Sequence, residues 1–122
     1  MAKILVIDDD TLVRAVLTSI LEQVGHTVLT AEDGLRGMAM FHEERPDLVI
    51  TDLVMPEQQG IQTLAKIRGE DPNAKVIVMS GSGRIGDTDF LAEAQALDAN
   101  DIVAKPFDPE DLLRSVSRCL AE

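Results

Sequence analysis

Ile4-Leu5-Val6-Ile7-Asp8-Asp9-Asp10 is a run of aliphatic residues that passes directly into aspartates. With no polar alternation, such a run reads as a short strand covered on both faces, as in a parallel sheet. The same pattern recurs along the chain. Leu48-Val49-Ile50-Thr51 runs into Asp52, Val76-Ile77-Val78-Met79 ends at Ser80, and Ile102-Val103-Ala104 ends at Lys105-Pro106. Open α/β sheets gather their sites at the carboxyl ends of the strands. That edge would therefore hold carboxylates, a hydroxyl and an ammonium, the chemistry of a metal and phosphoryl site.

Helical patterns fill the intervals. Leu12, Val13, Val16, Leu17, Ile20, Leu21 and Val24 recur at helical spacing, and Gly25 closes that segment. His26–Ala31 reads as a further strand. Leu35, Met38, Ala39 and Phe41 mark a second helix, which stops before Pro46 because proline disfavours helix at Arg45. Ile61, Leu64, Ala65 and Ile67 mark a third, and the turn Asp71-Pro72-Asn73 follows it. Phe90, Leu91, Ala94 and Leu97 mark a fourth, while Asp108 caps a fifth with Pro109 in its first position. These are five βα units, and right-handed crossovers place helices on both faces of one doubly wound, five-stranded parallel sheet.

A chain of 122 residues forms one domain with a core of its own, so residues 1–122 are expected to be a single unit. The net charge of −11 argues against direct nucleic-acid binding and against anionic membrane surfaces. The amino-terminal apolar run is too short for a signal peptide or a membrane span, so a cytoplasmic location is expected. The single cysteine, Cys119, falls on the apolar side of the last helix with Leu112, Leu113, Val116 and Leu120, and reads as a buried hydrophobe. His26 and His42 read as surface or edge residues rather than as a ligand set.

Asp8, Asp9 and Asp52 would converge at neighbouring strand ends. Carboxylates this close repel unless a cation joins them, and Mg²⁺, a hard ion that takes oxygen ligands and keeps waters a phosphate can displace, suits them. Asp10 or Thr11 is better placed as a helix cap. Asp52 ends the strand expected to be central, and a carboxylate there can act as a nucleophile that becomes an aspartyl phosphate. Lys105 supplies a point charge for phosphoryl oxygens and Ser80 a hydroxyl donor.

With these residues assembled, the chain resembles the receiver domains of bacterial two-component response regulators, the CheY-like family. The resemblance covers essentially the whole chain and rests on Asp8-Asp9, on Asp52-Leu53-Val54-Met55-Pro56 followed by Gly60, on Ser80-Gly81 and on Lys105-Pro106-Phe107. It implies a flavodoxin-like sheet in the order 2-1-3-4-5. It also implies Asp52 as phosphoacceptor, with Ser80 as the switch hydroxyl and Lys105 as the phosphoryl-binding ammonium. The implied Mg²⁺ site has Asp9 as a direct ligand, Asp8 acting largely through water, Asp52, and the backbone carbonyl of Val54. The Lys105-Pro106 bond is expected to be cis.

The implied function is phosphorelay signalling rather than enzymatic turnover. A sensor histidine kinase or histidine phosphotransfer protein donates the phosphoryl group. The last two βα units then switch the face formed by the Asp87–Leu97 helix, the Ile102 strand and the final helix toward a downstream protein or an output domain. The resemblance also admits a phosphorylation-dependent homodimer. Two departures stand out. Ile102 takes the place of the family's usual aromatic, and the stretch from Ser80 to Lys105 is longer than is typical. Val54 and Ser82 occupy positions that in the family flank the approach of hydrolytic water, and an apolar Val54 cannot orient that water, so self-dephosphorylation is expected to be slow.

Other readings weigh less. Gly81-Ser82-Gly83-Arg84-Ile85-Gly86 spells a dinucleotide fingerprint, but in the fourth βα unit and without the acid such a site needs at the end of the next strand. A haloacid-dehalogenase-type phosphatase also uses an aspartate, Mg²⁺, a hydroxyl and a lysine. Here the threonine of Asp8-Asp9-Asp10-Thr11 falls one residue early, and the acidic stretch Gly86-Asp87-Thr88-Asp89 precedes Lys105. A phosphorylation-independent interaction domain would call for degenerate acids, and the acids are complete.

Overall fold

A computed structural model describes residues 2–52, 59–81 and 94–122. In chain order it runs β1 (Lys3–Ile7), α1 (Thr11–Gln23), β2 (Thr27–Ala31), α2 (Gly34–Glu44), β3 (Leu48–Asp52), α3 (Gln59–Glu70) and β4 (Val76–Gly81). Residues 94–96 are helical and are termed α4; β5 (Asp101–Lys105) and α5 (Pro109–Ala121) follow. Most of the helix expected over Asp87–Leu97, and the glycine-rich motif before it, lie outside the described residues. All strand pairs are parallel, in the order β2-β1-β3-β4-β5. The fold is the doubly wound, flavodoxin-like sheet, with the run that ends in Asp52 at its centre.

The unbroken apolar runs are explained by two cores, one on each face. Ile4, Val6, Leu48, Ile50, Ile77 and Met79 pack with α1 and α5. Leu5, Ile7, Val49, Val76 and Val78 face the other way, toward Met38, Phe41, Ile61, Leu64 and Ile67. The period of two along a strand thus divides each run between two apolar layers. Full burial holds for β1 and β3 beyond their first residues and for Val76 to Ser80 of β4, but β5, at the sheet edge, is only half-buried. An edge strand has a neighbour on one side alone, which corrects the expectation that the Ile102 run is covered on both faces.

Helical spacing picks out more apolar residues than three of the helices bury. Leu17 and Leu21 anchor α1, whereas Leu12 is 70% exposed and Val16 and Val24 are exposed too. The apolar arc of α1 is wider than the strip the sheet covers. On α2 the buried residues are Gly34, Gly37, Met38 and Phe41, while Leu35 and Ala39 are exposed. On α3, Thr63 is buried and Ala65 is not.

Gly37 accounts for the orientation of α2. A Cβ at this position would clash with Ile7 Cδ1 and lie 2.8 Å from Ile7 Cγ1, so the helix approaches β1 closely enough that a side chain here would force Ile7 to shift. Gly37→Ala gains about 1 kcal/mol of helix propensity but incurs roughly 1–3 kcal/mol of overpacking. Ile7 is fully buried and adjoins Asp8, so it has little room to yield. We therefore expect a net loss of about 1 kcal/mol in urea unfolding; a variant more stable than wild type would contradict the close-packing account.

The helix ends follow local chemistry. The Asp10 carboxylate accepts from the Leu12 and Val13 N–H groups at 2.9 and 3.4 Å, and so acts as the cap of α1. Asp108 caps α5 just before Pro109. Arg45, ahead of Pro46, leaves the helix through the left-handed region at φ 50°. Arg68 of α3 reaches across to Leu97 O at 3.0 Å, Asp98 O at 2.8 Å and Asn100 Oδ1 at 2.8 Å, which fixes the approach to β5. Lys105, at the far end of β5, inherits that placement.

Candidate functional site

Strand ends build the site. Asp8 directly follows β1, Asp52 is the last residue of β3, Ser80 lies near the end of β4, and Lys105 ends β5. In register, Asp52 pairs with Met79, Ser80 with Ala104 and Gly81 with Lys105, so all four residues reach the same edge of the sheet. The Lys105-Pro106 bond is cis, as expected.

Lys105 Nζ stands 3.0 Å from Asp8 Oδ2 and 3.4 Å from Asp52 Oδ1. Both carboxylates are buried, at 1% and 2% exposure, so this ammonium offsets a repulsion that water barely screens. Asp9 is exposed and brings a third carboxylate to the same place. One oxygen from each of Asp8, Asp9 and Asp52 falls within 4.8 Å of the others. Octahedral Mg²⁺ with bonds of about 2.0–2.1 Å spaces its ligand oxygens by roughly 3–4 Å, so this all-oxygen set fits a hard divalent cation after modest closure. Asp10 stays outside the set as a cap, and Ser80 is buried on the strand beside Asp52. Val54 and Ser82 lie outside the described residues.

The sequence reading assigned nothing to Arg14. Its Nη1 donates to the Asp8 backbone carbonyl at 2.6 Å and its Nη2 to Thr11 Oγ1 at 3.2 Å. The only sequence signal is an arginine six residues after the first aspartate, at a place where α1 turns back over the strand end.

Other titratable groups serve the scaffold. His26 Nδ1 accepts the Ala2 N–H at 3.1 Å; burial, and then the positive chain terminus, lower its pKa. His42 pairs with Glu70 at 3.1 Å between α2 and α3. Cys119 is fully buried, and burial raises its thiol pKa, which removes it from thiolate chemistry at neutral pH.

The sequence model of the response regulator receiver domain matches residues 4–117. The chain belongs to this family. The receiver is 34% identical over 119 residues to the chemotaxis protein CheY of Listeria monocytogenes, an alignment that covers 97% of this chain and 98% of that protein. It is 35% identical over 121 residues to the protein PilH of Pseudomonas aeruginosa, covering 99% of each. It is also 36% identical over 119 residues to a probable transcriptional regulator, ycf27, of Guillardia theta, where it covers 95% of this chain but 45% of that protein. The chain thus spans nearly all of some relatives and about half of others. Among solved structures, a receiver domain protein from Clostridium thermocellum superposes with a TM-score of 0.91 at 33% identity, covering 99% of this receiver and 95% of that chain.

A CheY-like receiver of two-component phosphorelays is therefore the function class, and a histidine kinase is the kind of partner it implies. Family membership displaces the phosphatase and dinucleotide readings. Among the described residues, no helix is long and apolar enough to cross a membrane.

Proposed function

We propose that this receiver accepts a phosphoryl group from a kinase phosphohistidine on Asp52 and thereby switches the surface of its last two βα units. The observation that carries the reading is the convergence of Asp8, Asp9 and Asp52 within 4.8 Å, with Lys105 Nζ on two of them. Asp9, Asp8, Asp52 and the Val54 carbonyl would hold Mg²⁺. Receivers generally bind this ion at an acidic pocket, and when bound it would neutralise charge on the phosphoryl oxygens.

The chain's own residues do the rest. An oxygen of Asp52 attacks phosphorus in line, the P–N bond to the donor imidazole breaks, and a P–O bond forms. Burial of Asp52 limits competing water. Lys105 exchanges its contact with the Asp52 carboxylate for a phosphoryl oxygen, and Ser80 donates its hydroxyl to another. Modification adds about 1.5–2 negative charges, which biases β4, α4, β5 and α5 toward the second of two pre-existing arrangements. Two of these elements, β5 and α5, are tied together by side chains, since the Asp101 carboxylate accepts from Ser115 Oγ and Arg118 Nη2.

Residues 1–122 would thus be a receiver unit acting in the cytoplasm on a downstream protein, an output domain or a second copy of itself. Ile102, half-buried against the α2–α3 core, takes no part in a Tyr or Phe rotamer switch. Val54, unable to orient water, makes self-dephosphorylation slow; a Val54→Asn variant that hydrolyses no faster than wild type would contradict this.

The direct test offers a phosphorylated histidine phosphotransfer domain and follows the label. Mg²⁺-dependent transfer to a hydroxylamine-labile acyl phosphate is expected. A hydroxylamine-stable ester, as on Ser80, would refute Asp52 as acceptor.

A further inference from the structure

Asp8 is held at each of its polar atoms. Its N–H donates to Ala31 O at 3.1 Å, Oδ1 accepts from the Asp10 N–H at 2.9 Å, and Oδ2 accepts from Lys105 at 3.0 Å. The fourth atom, the carbonyl oxygen, accepts from Arg14 Nη1 at 2.6 Å. The sheet explains the first contact, the turn into α1 the second and the phosphoryl site the third. The fourth belongs to none of these.

The Asp8 carbonyl lies in the peptide plane that joins Asp8 to Asp9, and that plane is rigid. A donor fixed on this oxygen therefore sets the direction in which the chain enters Asp9. Beyond Asp9 the backbone is fixed again, because Asp10 caps α1 and its carbonyl accepts the Arg14 N–H at 3.1 Å. One arginine thus grips both sides of Asp9, by its side chain before it and its main chain after it. The guanidinium is itself steadied by Thr11 Oγ1, while the Arg14 carbonyl accepts from Thr18 Oγ1 at 2.8 Å.

We propose that Arg14 is a positioning residue for the metal-binding turn: it locks the Asp8–Asp9 peptide so that the exposed Asp9 carboxylate is delivered to the buried pair Asp8 and Asp52. The proposal rests on the reading of these three acids as Mg²⁺ ligands. It has a sign that separates it from simple charge effects. Arg14 is a cation near an anionic cluster, so its removal on electrostatic grounds alone would tighten the binding of a divalent ion. Loss of a positioning group weakens binding instead, by about 10–100-fold where partners outside the ligand set orient the ligands.

The test uses Arg14→Met, Arg14→Lys and Thr11→Val in the full chain, with Mn²⁺ as the probe and free Mn²⁺ read by electron paramagnetic resonance. Arg14→Met is expected to weaken Mn²⁺ binding about tenfold. Arg14→Lys reaches one acceptor but not both and recovers part of the loss. Thr11→Val frees only Nη2 and shifts affinity in the same direction by less, and it decides the matter if Arg14→Met fails to fold. In phosphorylation assays the change falls on the Mg²⁺ concentration giving half-maximal rate rather than on the rate at saturating Mg²⁺.

A second readout needs no metal. Hydrogen exchange of the Asp10 amide, which donates to Asp8 Oδ1, should accelerate several-fold in Arg14→Met. Unchanged or tighter Mn²⁺ binding by a folded variant overturns the proposal. Should wild type itself bind no Mn²⁺, the metal reading of the acids fails, and with it the delivery of Asp9. Unchanged Asp10 exchange in Arg14→Met would additionally show that the turn is not clamped.

Discussion

Lys105→Met is expected to slow phosphoryl transfer to Asp52 by about a hundredfold and, without Mg²⁺, to destabilise the fold by about 3 kcal/mol. Both effects come from one position. Lys105 Nζ lies within 3.4 Å of two carboxylates that are almost wholly buried, and its own side chain is 20% exposed. Removing it leaves like charges facing each other in a poorly screened place, and breaking a buried pair from one side costs about 3–5 kcal/mol. Partial exposure of the lysine argues for the lower end. Mg²⁺ should restore much of the stability, since a divalent ion supplies the missing positive charge. It should not restore the rate, because in the proposed transfer the ammonium would act on phosphoryl oxygens that develop charge. Urea unfolding in EDTA and in Mg²⁺, with transfer rates on the same samples, checks both halves. A variant as stable as wild type in EDTA would show that Lys105 does not offset the carboxylates.

Asp52→Asn should reverse the order of stability between the two conditions. In EDTA the variant is expected to exceed wild type by about 1 kcal/mol, because neutralising Asp52 leaves Asp8 and Lys105 as a matched pair. In Mg²⁺ the order inverts. A ligand that binds only the folded state at a hundredfold excess over its Kd adds about 2.7 kcal/mol, or roughly 10 °C in a chain of this size. With one of three carboxylates gone, the variant gains much less. Thermal unfolding of both proteins, with and without Mg²⁺, decides the point. The same order in both buffers would mean either that the carboxylates do not repel or that they do not share an ion.

Much of the fold was legible because a buried parallel strand has a plain signature. Ile4–Ile7 and Leu48–Thr51 carry no polar interruption, and the residues that end each run fall at one sheet edge. The caps were legible for a similar reason, since an aspartate before an apolar helix has few other uses. What misled was position on a helix. Periodicity tells which residues share a face but not which arc of a wide apolar face the sheet covers. Leu12 and Leu35 follow the apolar spacing of their helices and still lie outward. In α2 the deciding residue is Gly37, whose lack of a side chain brings the helix against Ile7, and a hydrophobic pattern passes over glycine.

The site divides along the same line. The aspartates, Ser80 and Lys105 could be found because strand ends deliver them wherever the helices pack. The resting contact of Lys105 with Asp8 could not, since it depends on how far β5 carries the ammonium toward β1 across two intervening strands. Arg14 was invisible because a long side chain folding back over its own turn leaves no periodic trace.

Intact mass after incubation with acetyl phosphate and Mg²⁺, for wild type beside Asp52→Asn, tests the central claim most directly. A single phosphoryl adduct on wild type, absent in EDTA and absent from the variant, is the predicted result. An adduct of equal yield on Asp52→Asn, or none on a folded wild type that binds Mg²⁺, would contradict it.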